Sequence, residues 1–227
     1  LNEMFPDGNF INSGFAKLDP AVNKNLKIDS LSSFGLDENK PTLLYAPTFY
    51  PSSIELFSKN FPEDFKDFNI IIKPHFFSLT LKKYKAQKLL LDGWEKFDNV
   101  YLTKIEDYNL LNFMVISDVL ISDASSSIFE FAALDKPVIW CDFYKLRWTY
   151  RGVFSFRFKK RVDESIKVFH QLCERAENYQ NLKNAVLNTV ANPDSKKSIR
   201  NSITDEYVGK VDGLCSERIV DYLRENK

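Results

Sequence analysis

The sequence predicts an α/β fold, a doubly wound (Rossmann-like), mostly parallel sheet with helices on both faces. Three observations carry the prediction. Short apolar runs of strand length recur along the chain, and helix-patterned or polar stretches separate them. The runs are almost continuously apolar instead of alternating, so both of their faces must be covered. Regular strand–helix–strand alternation with such strands argues for a parallel sheet.

Taken in order, residues 1–30 hold a candidate strand, NFINSGF, and a polar irregular run, read together as a linker or entry strand. Residues 31–190 form the Rossmann-like domain. Its first strand is TLLYAP (Thr42 to Pro47), followed by the helical-looking SSIELFSKNF. The second is FNIIIKP (Phe68 to Pro74). The third is NVYLT (Asn99 to Thr103), followed by a helix in IEDYNLLNFMVI. The fourth is DVLIS (Asp118 to Ser122), followed by a helix in SSIFEFAAL. The fifth is PVIW (Pro137 to Trp140). The pattern from Asp163 to Val190 is helical. Residues 191–227 read as a loop (NPDSKKS) and a C-terminal helix (GLCSERIVDYLREN) packing back on the domain.

Composition narrows the function. The chain has 227 residues, enough for one substantial core. Its formal net charge is zero, so no global field favours nucleic acid. Twenty phenylalanines thicken a core without naming an activity. Cys141, Cys173 and Cys215 are odd in number and far apart, against a disulfide framework or zinc site and for a reducing compartment. No apolar run has membrane-spanning length, and LNEMFPDGNF does not read as a signal peptide. The first residue is Leu, as expected of a piece of something longer.

In a doubly wound sheet, ligands sit at the carboxyl ends of the strands. Three serines follow the fourth strand there. One reading is a capping box, with Ser127 as N-cap and Glu130 reaching back. The other is a phosphate held by Ser125, Ser126, Ser127 and the helix start. Both remain open on local grounds. His75 and Lys73 follow the second strand and could neutralise a diphosphate or protonate a leaving oxygen. His170 reads as an ordinary helix residue. Thr48 ends the first strand. Arg147 and Arg151, after the fifth, offer planar donor forks that suit phosphate. FSFRFKKRV (Phe154 to Val162) reads as an amphipathic surface strand that could touch anionic lipid. Glycine-rich nucleotide loops, paired metal carboxylates and a nucleophile elbow are all missing from the sequence.

LLYAPTFY, IIIKPHF, DVLISDASSSIFEFAALDKPVIW, Asp142 to Tyr144, YRG and VDGLCSERIVDYL occur in this order. As a set they resemble the carboxy-terminal half of the CDP-glycerol glycerophosphotransferase family, the teichoic-acid and capsule polymerases and primases. The resemblance runs from SGFAKLD (Ser13 to Asp19) to the last helix. Ser122-Asp123-Ala124-Ser125-Ser126 stands where the family has T-D-Y-S-S, with Ser for Thr and Ala for Tyr.

The resemblance implies the donor-binding half of a GT-B transferase, with the catalytic base in a missing amino-terminal domain. It implies no metal and no cofactor beyond a CDP-activated or other nucleotide-activated donor as substrate. The partners would be that donor and a polymer or lipid-linked acceptor, with no nucleic acid. The place would be cytoplasmic, peripheral at the inner face of the membrane. On this basis His75 is the expected catalytic residue. Ser125, Ser126, Ser127, Thr48, Lys73, Arg147 and Arg151 are expected around the donor phosphates. Lys104, Asp107, Asp123 and Glu130 are expected near the nucleoside. Three rivals stand beside this: a GT-B glycosyltransferase using a nucleotide sugar, a nucleotide-sugar 2-epimerase, and a non-catalytic nucleotide-binding domain.

Overall fold

The computed structural model describes residues 8, 10–156 and 166–226. Six strands form one sheet: β1 (Thr42–Ala46), β2 (Asn69–Ile72), β3 (Val100–Leu102), β4 (Val119–Ser122), β5 (Val138–Cys141) and β6 (Glu174–Ala176). All pairings are parallel, in the order β3-β2-β1-β4-β5-β6. The chain starts in the middle, winds outward to β3, and returns to the other side of β1. The reversal between β1 and β4 opens a crevice at the carboxyl edge.

The helices are α1 (Asp19–Val22), α2 (Phe61–Asp64), α3 (Phe76–Thr80), α4 (Lys85–Trp94) and α5 (Leu110–Ile116), then α6 (Ser127–Ala132), α7 (Ile166–Leu172), α8 (Tyr179–Ala191), α9 (Lys197–Tyr207) and α10 (Cys215–Glu225). Successive strand residues point to opposite faces. Leu43, Tyr45, Ile70, Ile72, Val119 and Ile121 enter one layer, where Phe57, Phe61 and Trp94 surround Tyr45 and Phe65 packs on Phe61. The Tyr45 and Phe57 rings stack at 4.5 Å, so the phenylalanine-rich composition is concentrated here. Leu44, Ile71, Leu120, Val138 and Trp140 enter the other layer, against Leu111, Met114, Ile128, Phe131 and Ile203. This two-sided burial is why the strands read as unbroken apolar runs.

The five expected strands lie where the runs place them. Elsewhere the structure differs. The NFINSGF stretch forms no strand over its described residues. SSIELFSKNF is not one helix: it gives a 3-10 turn, Ile54–Leu56, and the single-turn α2. The helix expected from Ile105 begins only at Leu110, because Asn109 caps it by accepting from the Leu111 amide at 3.1 Å. Over its described residues, the helical run expected to Val190 is broken by β6, a three-residue edge strand (Glu-Arg-Ala) pairing with β5 alone. Its polar character suits a solvent-facing edge and hides it from apolar patterning. The NPDSKKS loop runs into α9, a helix that the apolar pattern does not reveal. FSFRFKKRV lies largely outside the described residues.

α9 packs on α6 and α7, while α10 is anchored through the opening segment. The Asp19 carboxylate accepts from the Ser216 amide at 2.8 Å and the Ser216 hydroxyl at 2.7 Å. Arg218 pairs with Asp212 at 2.8 Å and donates to the Ser13 carbonyl at 2.9 Å. Gly213 has φ +79° with Asn23 against it, so no side chain fits there. The D-G-x-x-S-x-R-I motif is therefore a staple between the chain's two ends, away from the crevice.

Candidate active site

The crevice at the β1/β4 switch holds a cavity of about 610 Å³. Its walls come from three strand ends: Pro47 and Thr48 after β1, Lys73, Pro74 and His75 after β2, and Ser125 and Ser127 after β4. Phe76, Ile105, Tyr108 and Leu110 complete it. Five of the expected site residues thus converge: Thr48, Lys73, His75, Ser125 and Ser127.

His75 is the N-cap of α3. Its Nδ1 accepts from the Phe77 amide at 3.2 Å. That bond fixes the neutral tautomer with the proton on Nε2, leaving Nε2–H as a donor. Desolvation, with the neighbouring Lys73 charge, holds the imidazole below its usual pKa. The ring is packed between Phe49, at 4.6 Å, and Phe77, at 4.8 Å. His75 is therefore a positioned neutral hydrogen-bond donor.

Lys73 is half-buried, and desolvation lowers its pKa, while the Asp107 carboxylate pulls the other way. It makes no ion pair among the described residues. A desolvated ammonium without a carboxylate partner is costly unless an anion arrives. It is the strongest electrostatic mark in the cleft.

The serines form a relay. Ser122 Oγ donates to the Ala46 carbonyl at 2.7 Å, tying β4 to β1. Ser127 Oγ lies 3.3 Å from Ser122 Oγ and donates to Ser125 Oγ at 3.1 Å. Ser125 Oγ also accepts from the Ser127 amide at 3.3 Å. With both acceptances made, the Ser125 hydroxyl proton is left for a ligand. The capping box does not form. The N-cap of α6 is Ser126, in a helical conformation with no side-chain cap bond. Glu130 instead pairs with Lys17 at 2.5 Å, an ion pair across 113 residues. It neither caps the helix nor lines the cleft.

Asp123 is fully buried and does not line the cavity. It accepts from the Thr48 amide at 2.9 Å, the Thr48 hydroxyl at 3.1 Å and the Ser53 amide at 3.2 Å. Desolvation outweighs those bonds and raises its pKa to about 6. It shapes the loop carrying Thr48, and its burial removes it from nucleoside contact.

Arg147 stacks on Tyr50, its guanidinium 4.2 Å from the ring centroid, and donates to Tyr84 Oη at 2.9 Å. Arg151 and Ser126 are exposed, and none of the three lines the cavity. Asp107 Oδ2 accepts from the Lys104 amide at 2.7 Å and Tyr101 Oη at 3.1 Å, shaping the β3–α5 loop. Asp107 lines a neighbouring pocket of about 280 Å³ that shares Tyr108. Lys104 is exposed. The residues missed from sequence are Ile105 and Tyr108, 45% and 83% exposed. Apolar side chains inside the polar stretch after β3 are the signal that could have found them.

No helix among the described residues is long and apolar enough to cross a membrane.

The chain is 36% identical over 112 residues to a teichoic acid glycerol-phosphate primase of Bacillus spizizenii, covering 49% of this chain and 28% of that protein. It is 24% identical over 221 residues to a primase of the same name from Bacillus subtilis, covering 96% of this chain and 51% of that protein. The chain thus spans about half the length, or less, of these curated relatives. In structure it is similar to the wall teichoic acid polymerase TagF, with TM-score 0.61 and 20% identity over 94% of this chain and 50% of that one. The fold is therefore of the GT-B type. The model of the CDP-glycerol:poly(glycerophosphate) glycerophosphotransferase family matches residues 3–225, and the chain belongs to that family.

Proposed function

We propose that this chain is the donor-binding half of a transferase that moves glycerol phosphate, or a related polyol phosphate, from a CDP-activated donor to a cell-surface polymer. CMP is released. The observation that carries the reading is the convergence of Lys73, the Nε2–H of His75 and the Ser125 hydroxyl in one cleft at the strand switch. Family membership supplies the donor class.

The diphosphate lies between Ser125 and Ser127 on one side and Lys73 and His75 on the other. The base packs against Ile105 and Tyr108, over the loop that Lys104 and Asp107 shape. An acceptor hydroxyl attacks the β-phosphorus. The bond from that phosphorus to the bridging oxygen breaks, and CMP carries the oxygen away. The hydroxyl's proton passes to a base in the portion of the protein beyond this chain. His75 Nε2–H and Lys73 stabilise charge on the leaving phosphate, so catalysis is positioning plus electrostatics and needs no metal or cofactor. Arg147 and Arg151, held outside the cavity, have no step here. The protein works peripherally, at the cytoplasmic face of the membrane where a lipid-linked acceptor is presented.

Calorimetric titration of the chain with CDP-glycerol, CDP-ribitol, CMP and UDP-N-acetylglucosamine tests the reading. Cytidine compounds should bind selectively. Ser125→Ala and His75→Ala should each weaken CDP-glycerol at least tenfold. Preference for the UDP-sugar would replace the reading with a glycosyltransferase using a nucleotide sugar. Unchanged affinity in both variants would remove the assigned roles.

A further inference from the structure

We infer that the exposed lysines at the α3–α4 junction, with Arg147, form a track for a polyanion bearing repeated phosphodiesters, namely the growing acceptor chain. The inference rests on the proposed reading for what enters the cleft, and on separate residues for what leaves it.

The chain is neutral overall, yet Lys82, Lys83, Lys85 and Lys88 fall within one short stretch containing no acid. All four are exposed. Lys88 pairs with Asp92 at 2.8 Å. Lys82, Lys83 and Lys85 make no ion pair among the described residues. A cluster of like charges in a balanced chain carries a repulsive cost that a polyanion would relieve.

The position of the cluster identifies the partner. Lys83 Nζ lies 5.1 Å from the centroid of the Tyr84 ring. Tyr84 Oη accepts from Arg147, bringing a further cation to the same spot. The Tyr84 ring is 5.8 Å from Phe49, which is 4.6 Å from His75. Ring contacts through the buried Tyr84 and the partly buried Phe49 therefore place the lysine segment close to His75. Gln87 fastens α4 to the Phe49 loop by donating to the Phe49 carbonyl at 3.1 Å. A polymer whose terminal hydroxyl sits beside His75 must leave the cleft over its rim. On the His75 side of the cleft, the segment after α3 carries Lys82, Lys83 and Lys85, exposed cations without carboxylate partners among the described residues. Its lysines suit repeated phosphodiesters, which ask for point charges along a path and not for one shaped pocket.

The test uses the full chain and a variant with Lys82→Gln, Lys83→Gln and Lys85→Gln, all at exposed positions. Three probes are titrated at several salt concentrations: a synthetic glycerol-phosphate hexamer, CDP-glycerol, and phosphatidylglycerol vesicles. The variant should bind the hexamer at least tenfold more weakly. The slope of log affinity against log salt should flatten by about 2, at roughly 0.7 for each phosphate that a lysine no longer neutralises. CDP-glycerol and vesicle binding should stay within twofold. Failure of the wild-type chain to bind the hexamer, or equal hexamer affinity in both proteins, overturns the track. Weaker vesicle binding by the variant, alone or alongside the hexamer, also overturns it and makes the patch a general anionic or lipid-facing surface. If CDP-glycerol does not bind the wild-type chain, the donor reading fails, while the hexamer arm still decides the track.

Discussion

Asp123→Asn should change how stability depends on pH. Asp123 is fully buried, and its carboxyl is pushed up to about 6. In the unfolded chain the group titrates near 3.9. Between those values the folded state holds the proton more tightly, so stability falls as pH rises. The contribution is full below the unfolded value and lost once pH passes the folded one. A shift of this size corresponds to about 3 kcal/mol. Asparagine does not titrate, so its own contribution is flat. The stability of the parent chain relative to Asp123→Asn should fall by about 2 kcal/mol between pH 4 and pH 7, because part of the total is already lost at pH 4, next to the unfolded value. Urea unfolding followed by fluorescence of the three tryptophans would measure it. Asp123→Ala supplies the opposite control. It strips the acceptor from the Thr48 and Ser53 amides and should cost about 1–3 kcal/mol for each. A difference between parent and Asp123→Asn that stays flat from pH 4 to pH 7 would refute the reasoning, because it would place the carboxyl in contact with water.

Two further outcomes follow from the geometry. Lys73→Met should weaken CDP-glycerol about tenfold or more, the scale of one charged hydrogen bond, while leaving cytidine nearly unaffected; equal weakening of both in calorimetry would move Lys73 away from the phosphates. Arg200 is 1% exposed and donates to Asp135 Oδ1 at 3.0 Å and to the Pro193 carbonyl at 3.1 Å. Arg200→Met should lower stability by about 1–3 kcal/mol with an unchanged urea m-value, because Asp135 stays solvated when its partner leaves; no change in the urea midpoint would show the network to be energetically neutral.

Several features are legible in the sequence because they are local. An unbroken apolar run must be a strand covered on both faces, so β1 to β5 fall where the runs are. Residues at strand ends are fixed by the strand itself, and a parallel sheet gathers all carboxyl ends on one edge. Thr48, Lys73, His75, Ser125 and Ser127 are recognisable for that reason. Errors arise where a role depends on a distant partner. Glu130 has the spacing of a capping residue, but Lys17 meets it from 113 residues away. Asp123 has the place of a ligand contact, but the loop after β1 folds over it. Arg147 has the chemistry of a phosphate clamp, but Tyr50 and Tyr84 hold its guanidinium outside the cavity. β6 escapes because a short edge strand needs only one neighbour and carries no apolar signature.

The sequence by itself determined the fold class, the family and the set of strand-end residues, because periodicity, ordered motifs and residue type are properties of short stretches. Tertiary structure decided which of those residues share the cleft. Placing β1 between β2 and β4 brings Lys73 and His75 opposite Ser125, around the Thr48 loop. That adjacency joins segments far apart in the chain, and it comes from the strand order and the two-sided core that fixes it.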